Sequence, residues 1–192
     1  MRLYGVTGWK NNGKTTLVTR LVTEIAARGI GVSTVKHAHH GFDLDSPGKD
    51  SWRHREAGAY EVMISGGARW ALMHELRGEA EPPLADLLAR LSPVDLVIVE
   101  GYKRDSHRKI EVRRAEAARG LIAEGDPSIR ALATDSPLES FDRPQFDLDD
   151  ISAIADFVLA ARVVGDLLAR LDAARSHLER GVGQLAQRLG DG

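Results

Sequence analysis

The sequence predicts an α/β protein built on a mostly parallel, twisted sheet flanked by helices. Residues 2–7 are a short β-prone run ending in a glycine-rich turn, and Leu17, Val18, Leu21, Val22 and Ile25 then recur at helical spacing. Residues 30–35 read as a second strand, so the opening is a βαβ unit with a right-handed crossover. Leu96-Val97-Ile98-Val99 is apolar without alternation, as a strand buried on both faces requires. A chain of 192 residues, 43% hydrophobic and 28% charged, is enough for one full-sized core.

The remaining elements follow in order. Gly29 stops the first helix. Residues 37–50 are polar and rich in His, Gly and Asp, too long and punctuated for a tight connection, which marks a functional loop. A short helix is expected at 51–58, then two strands at 60–65 and 69–74 joined by Gly66-Gly67. Pro82-Pro83 leads into an amphipathic helix at 84–91. The buried strand occupies 95–100, shorter strands are expected at 110–112 and 131–134, and apolar periodicity predicts a helix over 149–159.

Composition excludes several chemistries. Without cysteine there are no disulfides, thiol nucleophiles, thiolate zinc sites or cysteine-held iron–sulfur clusters, so a bound metal takes oxygen or imidazole ligands. No apolar run approaches the roughly 20 residues of a membrane span, and Met1-Arg2-Leu3-Tyr4-Gly5-Val6 lacks a signal-peptide core, so a cytoplasmic, uncleaved chain is expected. A formal charge of -2 provides no general attraction to nucleic acid or anionic membrane, and neither is expected as a partner.

Gly8-Trp9-Lys10-Asn11-Asn12-Gly13-Lys14-Thr15 has the spacing of a P-loop, directly after a strand and before a helix. Glycines let backbone N–H groups wrap a phosphate, and the helix N-terminus adds partial positive charge. Lys14 would reach the β- and γ-phosphates, and the Thr15 hydroxyl would ligate Mg²⁺. The fold expected is therefore that of a P-loop NTPase. Such a site also needs an acid at the end of a buried strand, which Glu100 supplies; Lys14 and Glu100 are the candidate catalytic residues. Asp95, at the start of that strand, lies at the opposite sheet edge and is read as structural.

The loop after the second strand opens at the same edge. Asp43 or Asp45 could be a further Mg²⁺ ligand, and Lys36 or Lys49 a phosphate contact. Alternatively His37, His39 and His40 bind a transition metal, or they are the polar residues of an ordinary loop.

Taken together, the segment Gly8 to Thr16, Lys36-His37-Ala38-His39-His40, the run from Asp43 through Pro47-Gly48-Lys49-Asp50-Ser51, and Glu100-Gly101-Tyr102-Lys103 resemble the MobB family of molybdopterin-guanine dinucleotide biosynthesis adaptors. Glu56-Ala57-Gly58-Ala59, Arg69-Trp70-Ala71-Leu72-Met73, Ala133-Thr134-Asp135 and Ala155-Asp156-Phe157-Val158 extend the resemblance to about residue 162. It implies a homodimeric GTP-binding protein with weak GTPase activity, assisting a MobA-type nucleotidyltransferase that joins GMP to molybdopterin, itself a possible bound ligand. Lys14, Thr15 and Thr16 would serve GTP and Mg²⁺, and Glu100 the metal.

The Asn-Lys-x-Asp signature of Ras-like proteins is absent, and Asp135 is the closest substitute as guanine reader, since a carboxylate accepts from guanine N1–H and N2–H₂. The basic run Lys103, Arg104, Arg108, Lys109, Arg113 and Arg114 would dock an anionic pterin phosphate or a partner's nucleotide, or is a solvated face; His37, His39, His40, Lys49, Lys103 and Arg104 are the candidate cofactor- and partner-binding residues. The GTP-binding domain is expected over 1–162, with an amphipathic helical extension over 163–192, where Val164, Leu168, Leu171, Leu178, Val182, Leu185 and Leu189 follow a four-three alternation broken by Arg175. It would serve self-association or partner binding, or pack on its own domain. A metallochaperone-type GTPase and a small-molecule kinase are the competing functions.

Overall fold

In the computed structural model, which describes residues 1–38, 44–116 and 119–161, the elements run β1 (Arg2–Thr7), α1 (Lys14–Ala27), β2 (Val32–Lys36), α2 (Asp50–Glu56), β3 (Glu61–Ser65), β4 (Trp70–His74), α3 (Leu84–Ala89), β5 (Leu96–Glu100), β6 (Lys109–Arg113), a 3₁₀ turn (Ile122–Glu124), β7 (Ile129–Thr134), β8 (Gln145–Asp147) and α4 (Ile151–Ala160). They fall into two compact units: residues 1–37 with 93 onward, and residues 38–92.

The first unit holds a six-stranded sheet in the order β2-β5-β1-β6-β7-β8. Every pairing in it is parallel. One face carries Tyr4, Val6, Leu96, Ile98, Ile110, Val112, Ala131 and Ala133, packed on Leu17, Leu21 and Ile25 of α1 and Ile154, Ala155 and Val158 of α4. Val97 and Val99 are equally buried, which explains the absence of alternation in β5. The chain leaves β5 at the carboxyl edge and re-enters at the start of β6, beyond β1, without a helix between. Gly5 permits close packing there: a Cβ on it would lie 2.5 Å from His107 Nε2.

Local chemistry sets the boundaries. Gly29, at φ +76°, turns the chain out of α1, and Ile30 donates its N–H back to Ile25 O, so the strand expected from residue 30 begins at Val32. Asp150 caps α4 by accepting the Ala153 N–H. Strand β8 and the 3₁₀ turn lack a sequence signal, each being three residues long.

The second unit contains α2, α3 and the antiparallel β3–β4 hairpin. Arg55 ties it together, contacting Glu75 at 3.0 Å and Asp45 at 3.5 Å. The hairpin buries Val62 but leaves Met63, Trp70 and Leu72 exposed on one face. Among the described residues no helix is long and apolar enough to cross a membrane. The expected 163–192 extension lies outside the described residues.

Candidate functional site

The loop between β1 and α1 is shaped by its backbone. Gly8 sits at φ +144°, and a Cβ there would meet Val112 O at 2.5 Å, so both conformation and space demand glycine. Asn11 at φ +67° and Gly13 at φ +90° add two left-handed positions, the kind of backbone turn from which anion-binding concavities are built. Buried Asn12 anchors the loop by donating to Val112 O at 3.2 Å. No side chain caps α1, and its first turn has no acid, so its leading N–H groups and positive dipole end are left to an anion.

Lys14 Nζ donates to Trp9 O at 2.7 Å, folding over its own loop. Partial burial pushes its pKa below the usual lysine value, Lys103 and Lys36 repel its charge, and Glu100 opposes them. Trp9 is held between two cations, with Lys103 Nζ 4.4 Å and the Arg119 guanidinium 5.1 Å from its ring centre, and its Nε1 donates to Gly120 O at 2.8 Å. Lys10 and Asn11 are exposed at the loop tip. Three lysines against one carboxylate give the cradle a positive field suited to a polyphosphate.

Thr15 Oγ1 donates to Glu100 Oε1 at 2.8 Å, joining the start of α1 to the end of β5. Lys36, beside Glu100 in the β2–β5 register, brings Nζ within 3.3 Å of Thr15 Oγ1 and 3.5 Å of Glu100 Oε1. Glu100 and Thr15 are hard oxygen donors, and among the described residues no cluster of three or more His, Asp or Glu could hold a metal. Two protein oxygens completed by phosphate and water suit Mg²⁺, so the residues fit that ion. Asp95, at the opposite end of β5, accepts the Gly31 N–H at 2.8 Å, the structural part expected of it.

Parallel pairing of β6 with β7 brings Asp135 near the loop. It lines a cavity of about 150 Å³ with Gly13, Thr16, Arg20, Arg114 and Asp149. Its Oδ1 accepts the Ala115 N–H at 2.8 Å, and Oδ2 is 3.6 Å from Arg114 Nη1, a partner that sequence spacing did not reveal.

The other candidates are placed as follows. His37 donates its backbone N–H to Glu100 O at 2.9 Å, and its ring lies 4.9 Å from that of Tyr102. Gly101 at φ +97° allows this approach, since a Cβ on it would sit 3.1 Å from that of His37. Lys103 and Arg104 line an open cleft of about 870 Å³ with Arg108, Asp126, Ser128 and Arg130. Lys109, expected among the docking cations, is instead fully buried, bonded to Asp105 O, to Ser128 Oγ at 2.6 Å and to Asp126 Oδ2 at 3.0 Å. Burying an ammonium requires such pairing, so it braces the start of β6. Asp45 and Lys49 belong to the second unit: Asp45 takes Ser51 Oγ at 2.8 Å and Arg55, and Lys49 precedes α2. His39, His40 and Asp43 lie outside the described residues.

Residues 3–135 match the family model described as "Molybdopterin guanine dinucleotide synthesis protein B", MobB. The chain is 43% identical over 159 residues to a molybdopterin-guanine dinucleotide biosynthesis adapter protein of Haemophilus influenzae, an alignment covering 81% of this chain and 86% of that one. It is 39% identical over 162 residues to the adapter protein of that name in Escherichia coli, covering 82% and 91%. The crystal structure of a MobB homolog from Bacillus stearothermophilus superposes with TM-score 0.62 at 28% identity, over 82% of this chain and 98% of that one. With the parallel sheet, the glycine-shaped loop and the Thr15–Glu100 pair in place, the chain belongs to the MobB family of molybdopterin-guanine dinucleotide synthesis proteins.

Proposed function

We propose that this protein is a GTP-binding accessory protein of molybdopterin-guanine dinucleotide biosynthesis, a slow Mg²⁺-dependent GTPase that assists a MobA-type nucleotidyltransferase in the cytoplasm. The observation that carries the nucleotide part is the convergence of the Gly8–Thr15 loop with Glu100, through the 2.8 Å Thr15 hydrogen bond. In this reading the loop N–H groups and Lys14 bind the β- and γ-phosphates. Thr15 and Glu100 hold Mg²⁺, which would neutralise charge on the phosphate oxygens. Thr16 and Asp135 line the adjoining cavity, where Asp135 reads the guanine edge.

Slow turnover follows from what surrounds the cradle. A fast hydrolase orients its water with a glutamine and stabilises charge with an arginine. Among the described residues the glutamine is Gln145, and it is committed to both backbone groups of Leu138. Lys103 and Lys36 are the cations that act on the Lys14 charge, and the arginine beside Gly13, Arg114, is engaged by Asp135 at 3.6 Å.

Two surfaces support partners. The cleft holding Lys103, Arg104, Arg108 and Arg130 suits a phosphate-bearing ligand such as molybdopterin, or the nucleotide of a partner enzyme, because guanidinium forks match phosphate oxygens. The exposed Met63, Trp70 and Leu72 face of the hairpin is suited to pairing of two copies. We assign 1–162 to the GTP-binding domain and 163–192 to the helical extension.

Calorimetric titration of the full chain with GTP, ATP and GDP, with and without Mg²⁺ and beside Lys14→Ala, tests this reading. Guanine-selective, Mg²⁺-strengthened binding lost in the variant supports it. Tighter binding of ATP removes the guanine assignment and favours a kinase.

A further inference from the structure

The Lys36 ammonium lies against both protein oxygens that fit a metal. It is 3.3 Å from Thr15 Oγ1 and 3.5 Å from Glu100 Oε1, while those oxygens are joined by a 2.8 Å hydrogen bond. The Glu100 side chain is only 10% exposed, so its charge needs a nearby cation; Lys36, at 58%, keeps a solvated and adjustable stem. A surface ion pair would not require the lysine to meet the helix-start hydroxyl as well. The in-register neighbour of Glu100 on β2 places it there.

We propose that Lys36 is the resident counter-cation of the Thr15–Glu100 pair: it competes with a divalent ion for these oxygens and, when no divalent ion is supplied, carries the charge of a bound triphosphate. This deepens the nucleotide reading above and rests on it. Metal and ammonium cannot both take the same oxygen lone pairs, so binding of the ion releases Lys36 from Glu100. The released side chain, on a stem of four methylenes beside Lys14, remains within the field of the phosphates. Lys36 is a positioning residue, and its effect appears in metal and nucleotide binding.

The test uses the full chain, wild type against Lys36→Met, with Lys36→Arg as a variant that keeps the charge. Mn²⁺ alone, followed by its electron paramagnetic resonance signal, is expected to bind Lys36→Met at least about threefold more tightly than wild type, because its competitor is gone. A non-hydrolysable GTP analogue titrated in EDTA is expected to bind Lys36→Met about tenfold more weakly, and in Mg²⁺ within about threefold of wild type, because a charge-assisted contact is then replaced. Lys36→Arg is expected to keep binding in EDTA within about threefold of wild type. Unchanged Mn²⁺ affinity, or equal losses of the analogue with and without Mg²⁺, overturns the proposal. Failure of the wild type to bind the analogue in Mg²⁺, with Mn²⁺ still competing with Lys36, overturns the nucleotide reading instead.

Discussion

Lys14 Nζ and Trp9 O are joined at 2.7 Å, so the lysine that would hold a phosphate fills its own loop with an internal hydrogen bond. The bond is local and replaceable: a phosphate oxygen offers the same ammonium a charged acceptor. Because burial and the charges of Lys103 and Lys36 depress the Lys14 pKa, its charge is a liability to the folded state. The penalty is therefore full at pH values below the depressed pKa and fades as pH rises from there to the ordinary lysine value of 10.5.

Lys14→Met is therefore expected to lower GTP affinity by about 100-fold or more while leaving the melting temperature equal to or above that of wild type at pH 7. Parallel calorimetry and thermal melts check it. In the wild type, GTP affinity should fall with rising pH before ordinary lysines titrate. A Lys14→Met protein that melts well below wild type would mark the lysine as a structural strut.

For Asp135 the expectation concerns selectivity. Its carboxylate is fixed by the Ala115 N–H and Arg114 at the wall of a cavity that includes Gly13 and Thr16. Loss of a bidentate acceptor should weaken GTP by about 10- to 100-fold while moving ATP by about threefold or less. Competition of GTP and ATP for Asp135→Ala measures this ratio, and an unchanged preference would assign base recognition elsewhere.

Much of this architecture was legible because it depends on local patterns. Glycine spacing marks the loop, continuous apolar residues mark β5, and the rule that ligands sit at the carboxyl ends of parallel strands separates Glu100 from Asp95. Less legible were features created by pairing of distant segments. Gln145–Asp147 forms β8 only because β7 offers an edge, and Lys109 reads as one more surface cation until Asp126 and Ser128 are folded around it. The clamp on Trp9 by Lys103 and Arg119 likewise joins residues about a hundred positions apart. Burial of a charged residue is a property of its tertiary partners, and no periodicity within five residues of β6 encodes it.

Glu111 makes that point measurable. It is 1% exposed, and its two oxygens accept the Ile122 and Ala123 N–H groups at 3.0 and 2.8 Å. Burial raises its pKa, with the two backbone donors opposing. Glu111→Ala strands both donors and should cost about 2–4 kcal/mol, or roughly 4–16 °C in Tm for a chain of this size. Replacement by Ala should also remove a loss of stability that the wild type shows as pH rises from 4.5 through the raised folded pKa, where the unfolded chain releases its proton first.

His107 and Gly5 give the opposite pH dependence. Both ring nitrogens of His107 are buried without a hydrogen bond, and the ring lies against the face of Gly5. Burial, aided by Lys109 and partly offset by Asp126, lowers its pKa from 6.5 to about 4. On acidification the unfolded chain therefore takes up the proton first, and stability is lost as pH falls from 6.5 towards 4, by on the order of 3 kcal/mol. His107→Leu should flatten that part of the stability profile, as chemical denaturation at pH 7 and pH 4.5 would show. Gly5→Ala places a Cβ 2.5 Å from His107 Nε2 and 2.7 Å from Lys109 Cγ, and should cost about 1–3 kcal/mol. Because the ring is the nearer obstacle, the cost should shrink in a His107→Ala background, whereas the remaining contact with Lys109 keeps it above zero. Simple additivity in that double-mutant cycle would mean that the crossover yields without the ring, and that Gly5 is required by Lys109 instead.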